Sequence, residues 1–149
     1  MPVWYGVTIL TKNTENVVWN KRTCPSWDNN WSPLHFAARI GKESLVQILV
    51  EEFGAYIDVK QTFGAWTGTP LHAAILGNHP DLVSKLLSYG ADVRLSGVHS
   101  GTETFNSALN YAEILKESQI ETGAIIQMLE ENMNKGSLLS LYYNIFFFA

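Results

Sequence analysis

The stretch Thr69-Pro70-Leu71-His72-Ala73-Ala74 occurs nearly twice in this chain of 149 residues. Thirty-seven positions earlier stands Ser32-Pro33-Leu34-His35-Phe36-Ala37-Ala38, and thirty-eight positions later comes a weaker version, Ser107-Ala108-Leu109-Asn110-Tyr111-Ala112. One short unit that returns at a period of roughly 20 to 50 residues indicates a repeat array. We therefore predict that the chain is built from successive copies of one structural unit.

Each copy begins with residues suited to the first turn of a helix. The hydroxyl of Ser32 or Thr69 can accept a hydrogen bond from a backbone N–H of that turn. Pro33 or Pro70 fits the first helical position, because a proline's missing N–H costs nothing there. The leucine and alanine residues that follow would face the neighbouring helices, and the small alanines would allow a close approach.

A second apolar segment follows each of the first two copies. These segments are 45–50 and 82–87, and each is followed by a glycine, Gly54 or Gly90. A glycine just beyond the end of a helix favours the left-handed backbone conformation that terminates it. Each unit is therefore predicted to contain two helices joined by a turn.

These features resemble the ankyrin repeat, whose signature is Thr-Pro-Leu-His-x-Ala followed by a second helix and Gly-Ala-Asp. The unit from Trp66 to Val93 matches almost throughout, whereas Ala108 and Asn110 replace the proline and histidine in the third unit. The resemblance implies an all-α fold: a solenoid of stacked helix-turn-helix units with projecting β-turn fingers. The third unit is interpreted as a degenerate, water-facing cap.

The resemblance divides the chain into three parts. Residues 29–132 form the ankyrin repeat domain, and residues 1–28 form an N-terminal capping segment, either a β-hairpin or a worn helical unit. Residues 133–149 form an apolar, aromatic C-terminal tail, whose last twelve residues (138–149) are too few for a bilayer span of about 20 residues. Three interpretations of the tail remain open: it folds back over the last helix, it contacts a partner or a membrane, or it is a truncated or misread gene end.

Composition and motifs exclude several functions. A net charge of −4 argues against a nucleic-acid partner, which requires clustered Lys and Arg to neutralise phosphates. The single cysteine, Cys24, cannot form an internal disulfide, so we expect a reducing compartment, the cytoplasm or the nucleus. The sequence contains no phosphate-binding glycine loop, no Gly-x-Ser-x-Gly and no His-Glu-x-x-His. We therefore expect neither an enzyme nor a cofactor.

The histidines of the first two copies could suggest a metal site, but the third copy has Asn110 at that position and no Cys or carboxylate stands at ligand spacing. The resemblance implies that this histidine instead bonds the backbone of an adjacent loop. We therefore expect no metal. The residues that the resemblance assigns to the structural repeat motif are Pro33, Leu34, His35, Pro70, Leu71 and His72.

The resemblance also implies a non-catalytic module that binds another protein through its finger loops and the concave face of its first helices. Carried onto this sequence, the contact residues are Asn29, Trp31, Arg39, Trp66, Gly68, Leu76, Thr104 and Asn106. Trp31 and Trp66 are favoured because Trp is enriched in binding hot spots, although both indoles could instead pack between fingers. Two finer functions stay open: a substrate-recognition adaptor of a ubiquitin ligase, and a competitive inhibitor of longer ankyrin proteins.

Overall fold

A computed structural model describes residues 32–148, and in its last helix the side chains of residues 137, 139–144 and 146–148 are not described. The predictions for residues 1–28, Asn29 and Trp31 lie outside the described residues. The predictions for the three repeat units and for the course of the tail concern residues that the structure describes.

The described residues form three helix pairs and two hairpins. The helices are α1 (Pro33–Ile40), α2 (Glu43–Gln47), α3 (Pro70–Leu76), α4 (Pro80–Ser88), α5 (Ala108–Glu117) and α6 (Gly123–Phe148), and a π-helical turn, Ile48–Glu52, extends α2. The strands are β1 (Gln61–Phe63), β2 (Trp66–Gly68), β3 (Gly97–Ser100) and β4 (Glu103–Phe105). The first helices of successive units, α1, α3 and α5, pack side by side, and α6 packs against both α4 and α5.

The helices begin where the sequence predicts. The Ser32 hydroxyl accepts a hydrogen bond from the His35 N–H at 3.4 Å, at the start of α1. The Ser107 hydroxyl accepts one from the Asn110 N–H at 3.1 Å, at the start of α5. The degenerate third unit therefore keeps the cap of a first helix although it lacks the proline.

The turn between the two helices of a unit requires a left-handed residue. Gly41 has φ 76° in the first unit, and Asn78 has φ 55° at the matching position of the second. Asparagine tolerates this region better than most residues. A Cβ added to Gly41 would lie 2.7 Å from Nδ1 of His79, so that turn also needs glycine for space.

The fingers correct the expectation of an all-α fold with simple β-turns. They form a four-stranded antiparallel sheet in the order β1-β2-β3-β4. Thr62 pairs with Thr67 across the β1–β2 hairpin, with their hydroxyl oxygens 3.0 Å apart, and Thr67 pairs with Val98 of the next hairpin. β-Branched residues favour such pairing. We call β1–β2 (61–68) the proximal finger and β3–β4 (97–105) the distal finger.

The core runs between the first helices of the units. Ala37, Ala38, Ala73, Ala74 and Ala112 are fully buried there. Because these side chains are small, three short helices can stack closely and hold successive fingers at a spacing that allows sheet pairing. The alanine pairs of the repeat motif thus determine where the fingers lie.

The C-terminal tail is the continuation of the last helix. The predicted boundary after residue 132 falls inside α6, which runs unbroken from Gly123 to Phe148, so the tail does not fold back over that helix. The side chains of Leu138 and Ile145 are 64% and 61% exposed. Among the described residues, no helix is both long and apolar enough to span a membrane.

Candidate protein-binding surface

His35 connects the first unit to the proximal finger. Its Nδ1 lies 2.7 Å from the Ser32 hydroxyl oxygen, and its Nε2 lies 3.0 Å from the Gly68 carbonyl oxygen. A carbonyl can only accept, so Nε2 carries the proton and the Ser32 hydroxyl can donate to Nδ1. Burial lowers the pKa of His35 to about 4, although the bond to Gly68 opposes this shift. The ring is therefore neutral near pH 7.

His72 begins the same arrangement in the second unit but does not complete it. The Thr69 N–H donates to Nδ1 at 3.0 Å, which leaves the proton on Nε2. Among the described residues no acceptor meets Nε2 at hydrogen-bonding geometry, although the Leu95 backbone is close enough to oppose the lowering of the pKa. Burial, and then the charge of Lys60, lower the pKa of His72 to about 3. The ring packs edge-on against Phe105, with centroids 4.6 Å apart.

Trp66 and Gly68 are internal supports of the proximal finger, which corrects their prediction as contact residues. Trp66 is only 5% exposed, its Nε1–H donates to the Tyr111 hydroxyl at 3.0 Å, and its ring meets His35 edge-on at 6.1 Å. Gly68 is buried, and a Cβ there would lie 2.7 Å from Cζ2 of Trp66. The indole is buried because its partners come from both neighbouring units.

Tyr111, to which the sequence analysis assigned no role, makes the central side-chain contacts of the third unit. It is fully buried, and its ring stacks on Phe105 with centroids 4.1 Å apart. Its hydroxyl lies 2.9 Å from Nδ1 of His99. Because the Trp66 indole can only donate, the tyrosine hydroxyl accepts from it, which leaves its own proton available for Nδ1 of His99. Burial raises the pKa of Tyr111 to about 12.

The described histidines are all engaged in local structure. Nε2 of His79 lies 3.0 Å from the Arg39 carbonyl oxygen, which ties the inter-helix turn of the second unit to α1. Within residues 32–148, no group of three or more His, Cys, Asp or Glu side chains is arranged to hold a metal ion.

The other predicted contact residues occupy two places. Arg39 and Leu76 lie on α1 and α3 and are partly buried, whereas Thr104 and Asn106 are exposed in and beside β4. The structure thus places Thr104 and Asn106 together at the distal finger. Their contact with a partner stays a prediction.

An exposed apolar patch stands out on the first unit. Phe36 and Ile40, one helical turn apart on α1, are 40% and 57% exposed, and Phe63 of the proximal finger is 46% exposed. The rings of Phe36 and Phe63 meet edge-on with centroids 6.3 Å apart. The available sequence signal was Phe36 itself, which occupies the position of Ala73 in the second unit. We call these three residues the apolar patch.

A family model described as ankyrin repeats (three copies) matches residues 6–96, more than half of the chain. The chain belongs to the ankyrin repeat family. The match begins inside the predicted capping segment and ends before the distal finger. The third unit therefore completes the stack in the structure although it lies beyond the matched residues.

Several known proteins are similar to part of this chain. A putative ankyrin repeat protein from Rickettsia bellii is 40% identical over 65 residues, which is 43% of this chain and 26% of that protein. Protein fem-1 homolog C from Homo sapiens is 31% identical over 104 residues, or 62% of this chain and 16% of that protein. Alpha-latrocrustotoxin-Lt1a from Latrodectus tredecimguttatus is 40% identical over 67 residues, or 44% and 4%. The chain spans about a quarter or less of the length of these relatives.

Proposed function

We propose that this chain is a non-catalytic module that binds another protein, with the apolar patch at the centre of the contact surface. Ankyrin repeats are generally protein-interaction modules, and the chain belongs to that family. The observation that carries the proposal is the exposure of Phe36, Ile40 and Phe63 side by side, at 40%, 57% and 46%. Contiguous exposed apolar side chains on a soluble domain mark interaction sites.

The free energy of burying apolar side chains favours the apolar patch over Trp66 as the centre of the contact surface. Fully burying one large apolar side chain contributes about 1.5–3 kcal/mol, so covering three that are already half exposed supplies a substantial part of a binding free energy. Trp66 cannot contribute in this way because it is already buried. Arg39 and the distal-finger residues Thr104 and Asn106 would form part of a polar rim, as protein interfaces commonly have.

A pair of matched variants tests the proposal. Ile40→Glu places a charge in the apolar patch, whereas Ile48→Glu makes the same change in the π turn after α2, where the isoleucine is 36% exposed. The proteins of interest are those that both the unaltered chain and Ile48→Glu capture. We expect Ile40→Glu to bind them at least about tenfold more weakly, which is a loss of about 1.4 kcal/mol of binding free energy. Circular dichroism should show that both variants are folded.

Equal capture by the two variants would remove the apolar patch from the contact surface. Both finer functions, the ligase adaptor and the competitive inhibitor, would use this same surface, so the identity of the proteins lost from Ile40→Glu separates them. Ligase subunits together with a further protein would favour the adaptor, whereas a partner shared with longer ankyrin proteins would favour the inhibitor.

A further inference from the structure

A cleft of about 450 Å³ lies at the base of the two fingers. The residues that the argument needs from its lining are Lys60, Ser96, Thr104, Phe105, Asn106 and Asn110. They provide an ammonium group, hydroxyls and amides around one aromatic side chain. The lining includes no Asp or Glu.

The lining of the cleft carries one positive charge, that of Lys60, and no negative charge. Lys60 is exposed, and within residues 32–148 no ion pair involves it. Its charge reaches the neighbouring interior, where it helps to lower the pKa of His72 after the larger effect of burial. A ligand that brought a negative charge next to Lys60 would therefore compensate an ammonium group that the described residues leave without a counter-ion.

The other polar side chains of the lining can donate hydrogen bonds. The Asn106 N–H donates to Oδ1 of Asn110 at 3.2 Å, so the NH₂ of that amide is the group that remains for a ligand. The hydroxyls of Ser96 and Thr104 can also donate, and both side chains are exposed. One ammonium group among neutral donors matches a carboxylate, which carries one negative charge, better than a phosphoryl group, which carries about −1.5 to −2 at pH 7.

We propose that this cleft binds the carboxylate side chain of an Asp or Glu of the partner protein. The inference rests on the proposed function and adds one chemical feature to the partner: an acidic residue that reaches the finger base while apolar residues cover the apolar patch. Lys60 provides the counter-charge, and Thr104, Asn106 and Asn110 provide donors. A partner segment crossing the fingers presents side chains to them, which is why we choose a side-chain carboxylate over a chain terminus.

The direct test is an NMR titration of the ¹⁵N-labelled full chain with N-acetyl-glutamate α-amide, compared with its neutral isostere N-acetyl-glutamine α-amide. We expect the glutamate probe to shift the backbone amides of residues 96–98 and 104–110, and the glutamine probe to bind about threefold more weakly, as expected for one partly exposed charge pair. Lys60→Gln should remove this difference. Lys42→Gln, at an exposed lysine between α1 and α2, should retain it.

Equal binding of the two probes, or shifts spread over the whole surface, would overturn the inference. Stronger binding of N-acetyl-glycine, whose carboxylate mimics a chain terminus, would overturn the choice of a side chain. The proposed function is judged separately, because Ile40→Glu and Ile48→Glu both leave Lys60 unchanged. If partners survive Lys60→Gln undiminished but are lost from Ile40→Glu, the inference fails and the proposed function stands.

Discussion

The two junctions between repeat units contain the same sequence motif but are stabilised by different interactions. At the first junction, where α1 packs on α3, a buried chain of hydrogen bonds runs from Ser32 through His35 to the Gly68 carbonyl. At the second junction, where α3 packs on α5, the corresponding Nε2 of His72 meets no acceptor at hydrogen-bonding geometry among the described residues. The first junction therefore relies on a histidine-to-backbone bond, and the second does not.

Aromatic packing takes over at the second junction. Phe105 packs against both His72 and Tyr111, and the Tyr111 hydroxyl connects Trp66 of the proximal finger to His99 of the distal finger. Tyr111 occupies the position that holds Ala73 one unit earlier. A larger side chain at this position fills the space between fingers and supplies a polar link. A degenerate repeat can thus remain in the stack by exchanging one interaction for another.

Trp66 contributes to both junctions, so its removal should have the largest effect. Trp66→Ala should lower the free energy of unfolding by about 3–5 kcal/mol, because it leaves a cavity beside His35 and removes the donor to Tyr111. Urea denaturation followed by circular dichroism measures the loss, and Trp66→Phe, which keeps most of the ring, should lose clearly less. A loss below about 1 kcal/mol would show that the indole is not part of the core.

Acidification should weaken both junctions, because each contains a buried neutral histidine. The folded pKa values, about 4 for His35 and about 3 for His72, lie below the ordinary value of 6.5. As the pH falls below 6.5, the unfolded chain therefore binds more protons than the folded chain, and the free energy of unfolding decreases. We expect each ring to lower the free energy of unfolding by about 2 kcal/mol between pH 7 and pH 5. Urea midpoints that stay level over this range would contradict the burial of the neutral rings.

A smaller change isolates the second junction. Tyr111→Phe keeps the stack on Phe105 but removes the hydroxyl, so we expect a loss of about 1–2 kcal/mol. In a double-mutant cycle with Trp66→Phe, the coupling should be about 1 kcal/mol, because either variant alone removes the bond between the two rings. Additive effects would show that this hydrogen bond contributes nothing. The NMR signals of the His35 ring should stay unchanged in Tyr111→Phe.

The parts of the structure that depend on nearby residues could be predicted from the sequence. Helix starts at Ser32 and Ser107 and the left-handed turn at Asn78 follow from local hydrogen bonds and backbone preferences. The burial of Trp66 could not be predicted, because its hydrogen-bond partner Tyr111 is 45 residues away. Pairing between the two fingers was missed for the same reason, since the contact depends on how closely the first helices stack.

The exposed apolar patch could be predicted from the sequence only in part. Phe36 was visible as a large residue in place of an alanine, but its meeting with Phe63 depends on the course of the proximal finger. The same limit applies to the cleft at the finger base, since Lys60 and Asn110 come from different units. The proposed contact surface thus rests on non-local contacts that the periodic motif makes possible but does not specify.

The most direct test of the difference between the junctions is to replace each motif histidine by asparagine. The chain itself shows that asparagine suits this position, because Oδ1 of Asn110 accepts from the Asn106 N–H at 3.2 Å. His35→Asn loses the bond to Gly68, whereas His72→Asn loses no such bond. We therefore predict that His35→Asn lowers the free energy of unfolding by about 1–2 kcal/mol more than His72→Asn. Equal losses, or a larger loss for His72→Asn, would contradict the account.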